Sequence, residues 1–548
     1  MGRPGGRRGA RWAAAATGLP AGGRAEEARA ELGRVGRLAG PLVLQNVLGY
    51  GLTFLNVIFC GRLSRRDLAT VLLANSVYNV TGLSLLIGLA SALETYCGNA
   101  YGGGQYGLLN GYLLRAVMIN LLACVLVLLV WTQMEGFLVA MGMDAELAAA
   151  ASAYLWRLSP GLFFACFYEC SKRYMQSISV VVAPMLAAAA VVLCSPLVFW
   201  LCIFRSGWGL AGAAFAVNLC TAMLAVAVMS LVVWTNLQGI GESKAKPWEG
   251  VSTREMLSQA FSNWRHFLDV GVPATIQTCA EWWVWEIVIV LSSLLPPDPD
   301  RGIEADTYVS VMGILLQLAS MTYMVLMALQ QAAATRVAVE LGRKRPAQAQ
   351  LAAGVCLLVG RVFITVICVA LVASRSLVMA LFTDKEGVQQ LAAAAMPWMA
   401  WSSWNDCVNG IYNGVLRGCG RQWLAAVINT LGNWGIGLPL SAFLGLRAGY
   451  RVRGLWGGLI VAMAAVNAFY LWQFLRLDWD KEAQRDLHPG ELRAGEGPDA
   501  ALGDKGDGEG RGGGATVRTQ RWNSPRSCSV CGGGNGCDWL LRITNSLY

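Results

Sequence analysis

Two acidic residues stand where acids are rare. Glu281 lies inside the apolar stretch Gly271–Leu295, beside Trp282, Trp283 and Trp285. Asp406 lies inside a second such stretch, Trp401–Arg417, where Asn405, Asn409 and Asn413 recur every four residues and so share one helical face. An acid at the centre of a membrane helix costs roughly 2.5–3.5 kcal/mol on insertion scales, which marks it by default for proton, ion or substrate handling. A carboxyl group at the edge of water exchanges its proton with small changes in exposure. Aromatic faces attract organic cations, and Trp401, Trp404 and Tyr412 add to those of the first stretch. The combination suits a site for protons and for flat or bulky cations. Structural roles stay open beside it: a carboxylate satisfied by a neighbouring helix, asparagines as interhelical glue, tryptophans as interfacial anchors.

Glu286 follows Glu281 by five residues, about 140° round a helix, so the two cannot share a face. Glu281, nearer the midpoint, is the expected deep site. Glu286 then lies nearer the outer mouth or faces another helix, with a direct and a structural role equally open. The coupling residues are therefore Glu281, Asp406 and Glu286. The expected cavity is lined by Trp282, Trp283, Gln45, Asn46, Gln277, Asn405, Asn409 and Tyr412. Glu94 and Arg173 fall at helix ends, where solvation is expected and gate closing is the alternative. His266 receives no role, and with His488 the only other histidine, neither histidine catalysis nor a histidine metal site is expected.

The elements that must position these groups are membrane helices. The 548-residue chain is 55% hydrophobic and 14% charged, against about 25% charged in soluble domains. Twelve spans are predicted, near 40–60, 70–95, 110–132, 149–173, 178–204, 210–235, 269–295, 307–333, 350–374, 390–415, 422–446 and 454–476. Basic residues gather in alternate connections (Lys172, Arg173; Lys244, Lys246, Arg254, Arg265; Arg336, Arg343, Lys344, Arg345; Arg417, Arg421). The opposite loops lean acidic, so both termini are expected in the cytoplasm, against Arg62, Arg65, Arg66, Arg447, Arg451 and Arg453. The net charge of +9 then needs no nucleic acid to explain it. Most of the 16 cysteines sit inside apolar spans as small hydrophobes.

A long connection divides the spans six and six. Pro41-Leu-Val-Leu-Gln45 opens the first half and Pro273-Ala-Thr-Ile-Gln277 the second. Ala92, Thr95 and Gly102 recur 240 residues later as Ala332, Thr335 and Gly342, and Gly209-Leu-Ala-Gly212 recurs as Gly454-Leu-Trp-Gly457. This order indicates an internal duplication. With six spans each, the copies enter the membrane alike, related by a pseudo-two-fold axis along its normal. The expected fold is thus an all-α membrane protein: twelve transmembrane helices in two pseudo-symmetric six-helix bundles. Its parts are a disordered basic arm (1–38), an N-lobe (39–235), a cytoplasmic connection (236–266), a C-lobe (267–476) and a disordered cytoplasmic tail (477–548). The arm, with its eight arginines, could instead belong to a targeting peptide. Cys528, Cys531 and Cys537 in the tail are one ligand short of a zinc site, so no metal is expected.

Over residues 36–476 the chain resembles the multidrug and toxic compound extrusion (MATE) transporters, particularly the plant and animal branch. The resemblance is carried by Ser91-Ala-Leu-Glu-Thr-Tyr-Cys-Gly-Asn-Ala-Tyr-Gly102, Cys279-Ala-Glu-Trp-Trp-Val-Trp-Glu286, Ala334-Thr-Arg-Val-Ala-Val-Glu-Leu-Gly342 and Gly414-Val-Leu-Arg-Gly-Cys-Gly420. It implies two six-helix lobes, alternating access, and export of organic cations, xenobiotics or secondary metabolites against proton entry, with no cofactor. The family's deep glutamate falls on Glu281, its tenth-helix acid on Asp406 and a second glutamate on Glu286. The chain departs from the pattern at Glu94, where plant members usually carry Asp, and at Asn99, where they carry Gln. The first-helix aspartate of many prokaryotic relatives is absent, with Gln45 and Asn46 in that region, which favours a proton site in the second lobe. The implied protein is a monomer in the plasma membrane or a vacuolar or other endomembrane. Alternatives are the same fold exporting a citrate-like anion or flipping a lipid-linked substrate. A membrane-embedded transferase is disfavoured by the shortage of histidine, and a channel would need no coupling acid.

Overall fold

The computed structural model describes residues 21–240, 246–247, 253–298, 305–383, 385–485 and 487–488. Helices dominate them, because backbone polar groups in lipid must be satisfied within the segment. In order, α1 is Ala21–Gly61, α2 Arg66–Gly102, α3 Gly107–Trp131, α4 Ala145–Ser177, α5 Val182–Arg205 and α6 Gly209–Gln238. Then come α7 at Trp264–Ser293, α8 at Ala305–Gly342, α9 at Pro346–Ala373 and α10 at Glu386–Gly418. Helix α11 begins at Gln422–Thr430 and runs through a π-turn at Leu431–Gly437 into Leu438–Ala442 and Phe443–Arg447; α12 is Arg451–Arg476. Shorter helices lie at Met134–Ala140, Thr253–Phe261, Arg375–Phe382 and Trp479–Gln484. Local signals start and stop several of these. Asp144 caps α4 by accepting the Leu147 N–H at 3.0 Å, and Gly239, at φ 93°, ends α6 in a conformation that favours glycine.

Among the described residues eight helices, α1, α2, α3, α5, α6, α8, α9 and α12, are long and apolar enough to cross a membrane. Helices α4, α7 and α10 carry the polar groups that dilute such a signal: Glu169, Lys172 and Arg173; Gln277, Glu281 and Glu286; and Asp406 with its asparagines. Helix α11 is interrupted by its π-turns.

Helices α1–α6 enclose one core, with Leu86, Leu93, Tyr112, Tyr154, Leu162 and Phe199 buried. A second core among α8–α12 takes in Val35, Leu38 and Leu42 of α1, so the start of α1 is seated on the opposite half. A third, at the other end of the second half, holds Val288, Met312, Met396 and Trp456. Lipid tails are as apolar as leucine, so packing contact rather than water exclusion holds such helices together, and small residues mark close crossings. A Cβ on Gly414 of α10 would lie 2.3 Å from the Gln330 carbonyl oxygen of α8.

Several expected boundaries need correction. Residues 21–38 are not a disordered arm but the first turns of α1. Glu31 fixes them there: wholly buried, it takes a bidentate pair of hydrogen bonds from Arg336 of α8 at 2.7 and 2.9 Å. Residues 477–485 and 487 likewise are not free tail. Asp478 caps the helix Trp479–Gln484, Glu482 pairs with Arg421, and the Leu487 carbonyl lies 2.9 Å from His266 Nε2. The connection 236–266 contains the helix Thr253–Phe261, and α7 already starts at Trp264. Residues 1–20, and the tail beyond 488 with its three cysteines, lie outside the described residues. The start of α1, the ends of α2, α4, α8, α10 and α12, and residues 477–485 and 487 gather at one end of the molecule, here called the shared end.

Candidate functional site

Glu281 of α7 is half-buried, and its Oε1 accepts two hydrogen bonds. One comes from Gln277 Nε2, one turn earlier on the same helix, at 3.1 Å. The other comes from Asn413 Nδ2 of α10 at 3.2 Å. Asn413 belongs to a closed ring of amides. Its Nδ2 donates to Asn409 Oδ1 at 2.7 Å, and Asn409 donates to Asn429 of α11 at 3.0 Å. Asn429 donates to Asn413 Oδ1 at 2.9 Å and to the Tyr470 hydroxyl of α12 at 2.8 Å. Tyr470 closes the circuit by donating to Asn413 Oδ1 at 2.7 Å. All four ring residues are buried. Satisfied on nearly every side, such a ring holds three helices in one register and fixes where Glu281 finds its partner.

Asp406, also half-buried, lies on α10 within electrostatic reach of Glu281. Tyr323 of α8 lies within reach of both, and its hydroxyl meets Trp282. Two carboxylates so placed repel when both are bare, and a proton or an organic cation between them relieves the repulsion. Glu281, Asp406, Gln277 and Trp282 are therefore brought together.

The other expected residues are dispersed. Glu286 reaches Ser76 of α2 and so faces the opposite half. Trp283 turns from the acids and donates its indole N–H to the Val80 carbonyl of α2 at 3.0 Å. Asn409 is consumed by the ring, and Asn405 accepts from Asn467 of α12, with its own amide on the Trp401 carbonyl. Tyr412 packs on Tyr470 and Phe474, with ring centroids 5.7 and 6.0 Å away, in a buried seam of the second half. In α1, Gln45 is buried beside the Tyr168 hydroxyl, whereas Asn46 crosses to Gln331 of α8 at 3.4 Å.

Sequence reasoning missed Tyr323, Asn429 and Tyr470, each a neutral polar residue in a largely apolar helix. An intramembrane tyrosine or asparagine is a weak signal until its partner is known. It also misplaced two charges. Glu94 and Arg173, expected at solvated helix ends, are both fully buried. They form one ionic layer in which Glu94 of α2 accepts from Arg173 of α4 and, at 3.2 Å, from Arg417 of α10. Glu169 joins it, 2.6 Å from Lys172 and 3.9 Å from Arg173.

A family model described as MatE matches residues 41–201 and 273–443, most of both halves. The chain belongs to the MatE family. Similar MatE relatives include Protein DETOXIFICATION 1 of Arabidopsis thaliana, 30% identical over 458 residues, which cover 83% of this chain and 92% of the relative. Multidrug and toxin extrusion protein 2 of Mus musculus is 30% identical over 469 residues, 86% of this chain and 78% of the relative. The crystal structure of the eukaryotic MATE transporter AtDTX14 superposes with a TM-score of 0.75 at 28% identity, covering 84% of this chain and 98% of that one. This MatE protein is accordingly a multi-pass membrane transporter of the multidrug and toxin extrusion kind, not an enzyme.

Proposed function

We propose that this transporter is a proton-coupled antiporter exporting organic cations, xenobiotics or secondary metabolites by alternating access. Its working unit is a monomer of twelve transmembrane helices in two six-helix bundles, α1–α6 and α7–α12. The shared end lies in the cytoplasm, in the plasma membrane or an endomembrane. That orientation is supported by Arg34, Arg37, Arg265, Arg343, Lys344, Arg345 and Arg421 at this end.

One observation carries the reading: Asn413 of α10 donates to Glu281 of α7 at 3.2 Å, and Asp406, two turns before Asn413 on α10, lies within reach of the Glu281 charge. Facing outward, the pair takes up protons and loses its hold on a cation. Facing inward, it gives up protons and takes cationic cargo. Exchange follows because proton and cation compete for the same carboxylates. The organic-anion alternative would need a free cation at the site, whereas in this conformation Arg417, whose charge reaches Glu281, is engaged by Glu94.

The test is efflux of a dye cation from vesicles, driven by a pH gradient. Glu281→Gln and Asp406→Asn should each abolish it, and a sodium gradient should not replace the proton gradient. Wild-type rates in Glu281→Gln would refute the assignment.

A further inference from the structure

At the shared end the two halves meet in a contact that is its own mirror under exchange of halves. A Cβ on Gly102 of α2 would lie 2.1 Å from the Val339 carbonyl oxygen of α8, and a Cβ on Gly342 of α8 would lie 2.1 Å from the Asn99 carbonyl oxygen of α2. Asn99 and Val339, like Gly102 and Gly342, are 240 residues apart, the spacing of the repeated motifs. Between them a Cβ on Gly98 would lie 2.8 Å from Cβ of Ala338, its own counterpart at the same spacing. Self-complementary contact of this kind is what a two-fold relation produces, each patch meeting its own copy. The helices touch backbone to backbone, which only glycine permits.

Two ionic clasps flank this crossing, and both run between halves. One turn before Gly98, Glu94 takes Arg417 of α10, while the Thr95 hydroxyl donates to the Arg417 carbonyl at 2.6 Å. On the other side Arg336 of α8 holds Glu31 of α1 and, at 2.8 Å, Glu340. Each of these acids and arginines is buried. Charges out of water need their partners in place, so a clasp of this kind is either made or broken, seldom half made.

We propose that Glu94 is the latch of the cytoplasmic gate, holding Arg417 across the α2–α8 glycine crossing while the gate is shut. To open, Gly102 leaves Val339, Gly342 leaves Asn99, and Arg417 leaves Glu94 together. This rests on the alternating-access reading above, and it adds that Glu94 positions the gate without touching cargo.

Native thiols report on the seam: Cys97 adjoins Gly98, and Cys419 follows Arg417 by two residues, both buried. The experiment is peptide-resolved labelling of Cys97 and Cys419 by a membrane-impermeant maleimide on the cytoplasmic side, alongside dye-cation efflux. Glu94→Gln should raise labelling about tenfold, the scale of a modest population shift, and slow efflux. Glu94→Asp, which keeps the charge, should restore both toward wild type. Gly102→Ala and Gly342→Ala should raise labelling by similar factors, since each blocks the same closure from opposite halves. Should a glycine variant fail to reach the membrane, Glu94→Gln and Glu94→Asp decide alone. Unchanged labelling in folded Glu94→Gln, or no rescue by Glu94→Asp, overturns the latch. Raised labelling alongside normal efflux in Glu281→Gln would leave the latch standing and remove the coupling assignment.

Discussion

Asn413 Nδ2 on α10 stands 3.2 Å from Glu281 Oε1 on α7 and 2.7 Å from Asn409 Oδ1 one turn away. One amide thus joins the carboxylate of one helix to a ring that ties α10, α11 and α12 together. The position of Glu281 relative to Asp406 is set by this link as much as by helix α7 itself.

Removing the link should therefore slow transport, beside the stability lost with the three ring bonds that Asn413 also makes. In Asn413→Ala, Glu281 keeps Gln277 but loses its hydrogen bond to α10. Dye-cation efflux should fall roughly tenfold, the scale of about 1.4 kcal/mol. Efflux at the wild-type rate would show that the carboxylate needs no such positioning.

The ring itself is open to a stability measurement. Tyr470→Phe removes one hydroxyl, leaving Asn429 Nδ2 and Asn413 Oδ1 each one partner short. Interhelical hydrogen bonds in membranes average about 0.6 kcal/mol and reach about 1.7. Burial puts this loss at the upper end, about 1–2 kcal/mol, read as reduced stability in detergent unfolding. An unchanged midpoint would mean that the asparagines re-pair without the phenol.

Glycine crossings give a contrast within one fold. Gly414→Ala would press a methyl group onto the Gln330 carbonyl, a backbone atom that no rotamer change can move. Overpacking of this kind costs about 1–3 kcal/mol. Gly313→Ala, in α8 with nothing near its Cβ position, should be neutral or slightly stabilising because alanine favours helix. Equal effects in thermal unfolding would contradict the crossing.

The seating of α1 depends on Glu31. Breaking a buried pair from one side costs roughly 3–5 kcal/mol, and Glu31→Gln should fall at the lower end because Glu340 still pairs with Arg336. Glu31→Gln combined with Arg336→Met should cost less than the sum of the two changes. Strict additivity in a double-mutant cycle would show that the pair contributes nothing of its own.

Much of this protein is written locally. Apolar runs, the placing of basic residues, the two proline motifs and the acids inside Gly271–Leu295 and Trp401–Arg417 were legible because each depends on neighbours within one helix. Helix periodicity also placed Asn409 and Asn413 on one face, though not against which partner. The start of α1 was missed because its Arg- and Gly-rich composition matches that of a free arm. What holds it is Arg336, 305 residues away.

Sequence by itself determined a membrane-helical chain with internally repeated motifs and acids inside apolar helices of the second half. Tertiary structure alone decided that Glu281 meets Asn413 on the helix that carries Asp406, while Glu286, Trp283 and Tyr412 turn elsewhere, and that Glu94 and Arg173 are sealed from water. The physical reason is reach. Spacing along a helix fixes which face a side chain occupies, but only the packing of distant helices fixes which charge or amide it meets there.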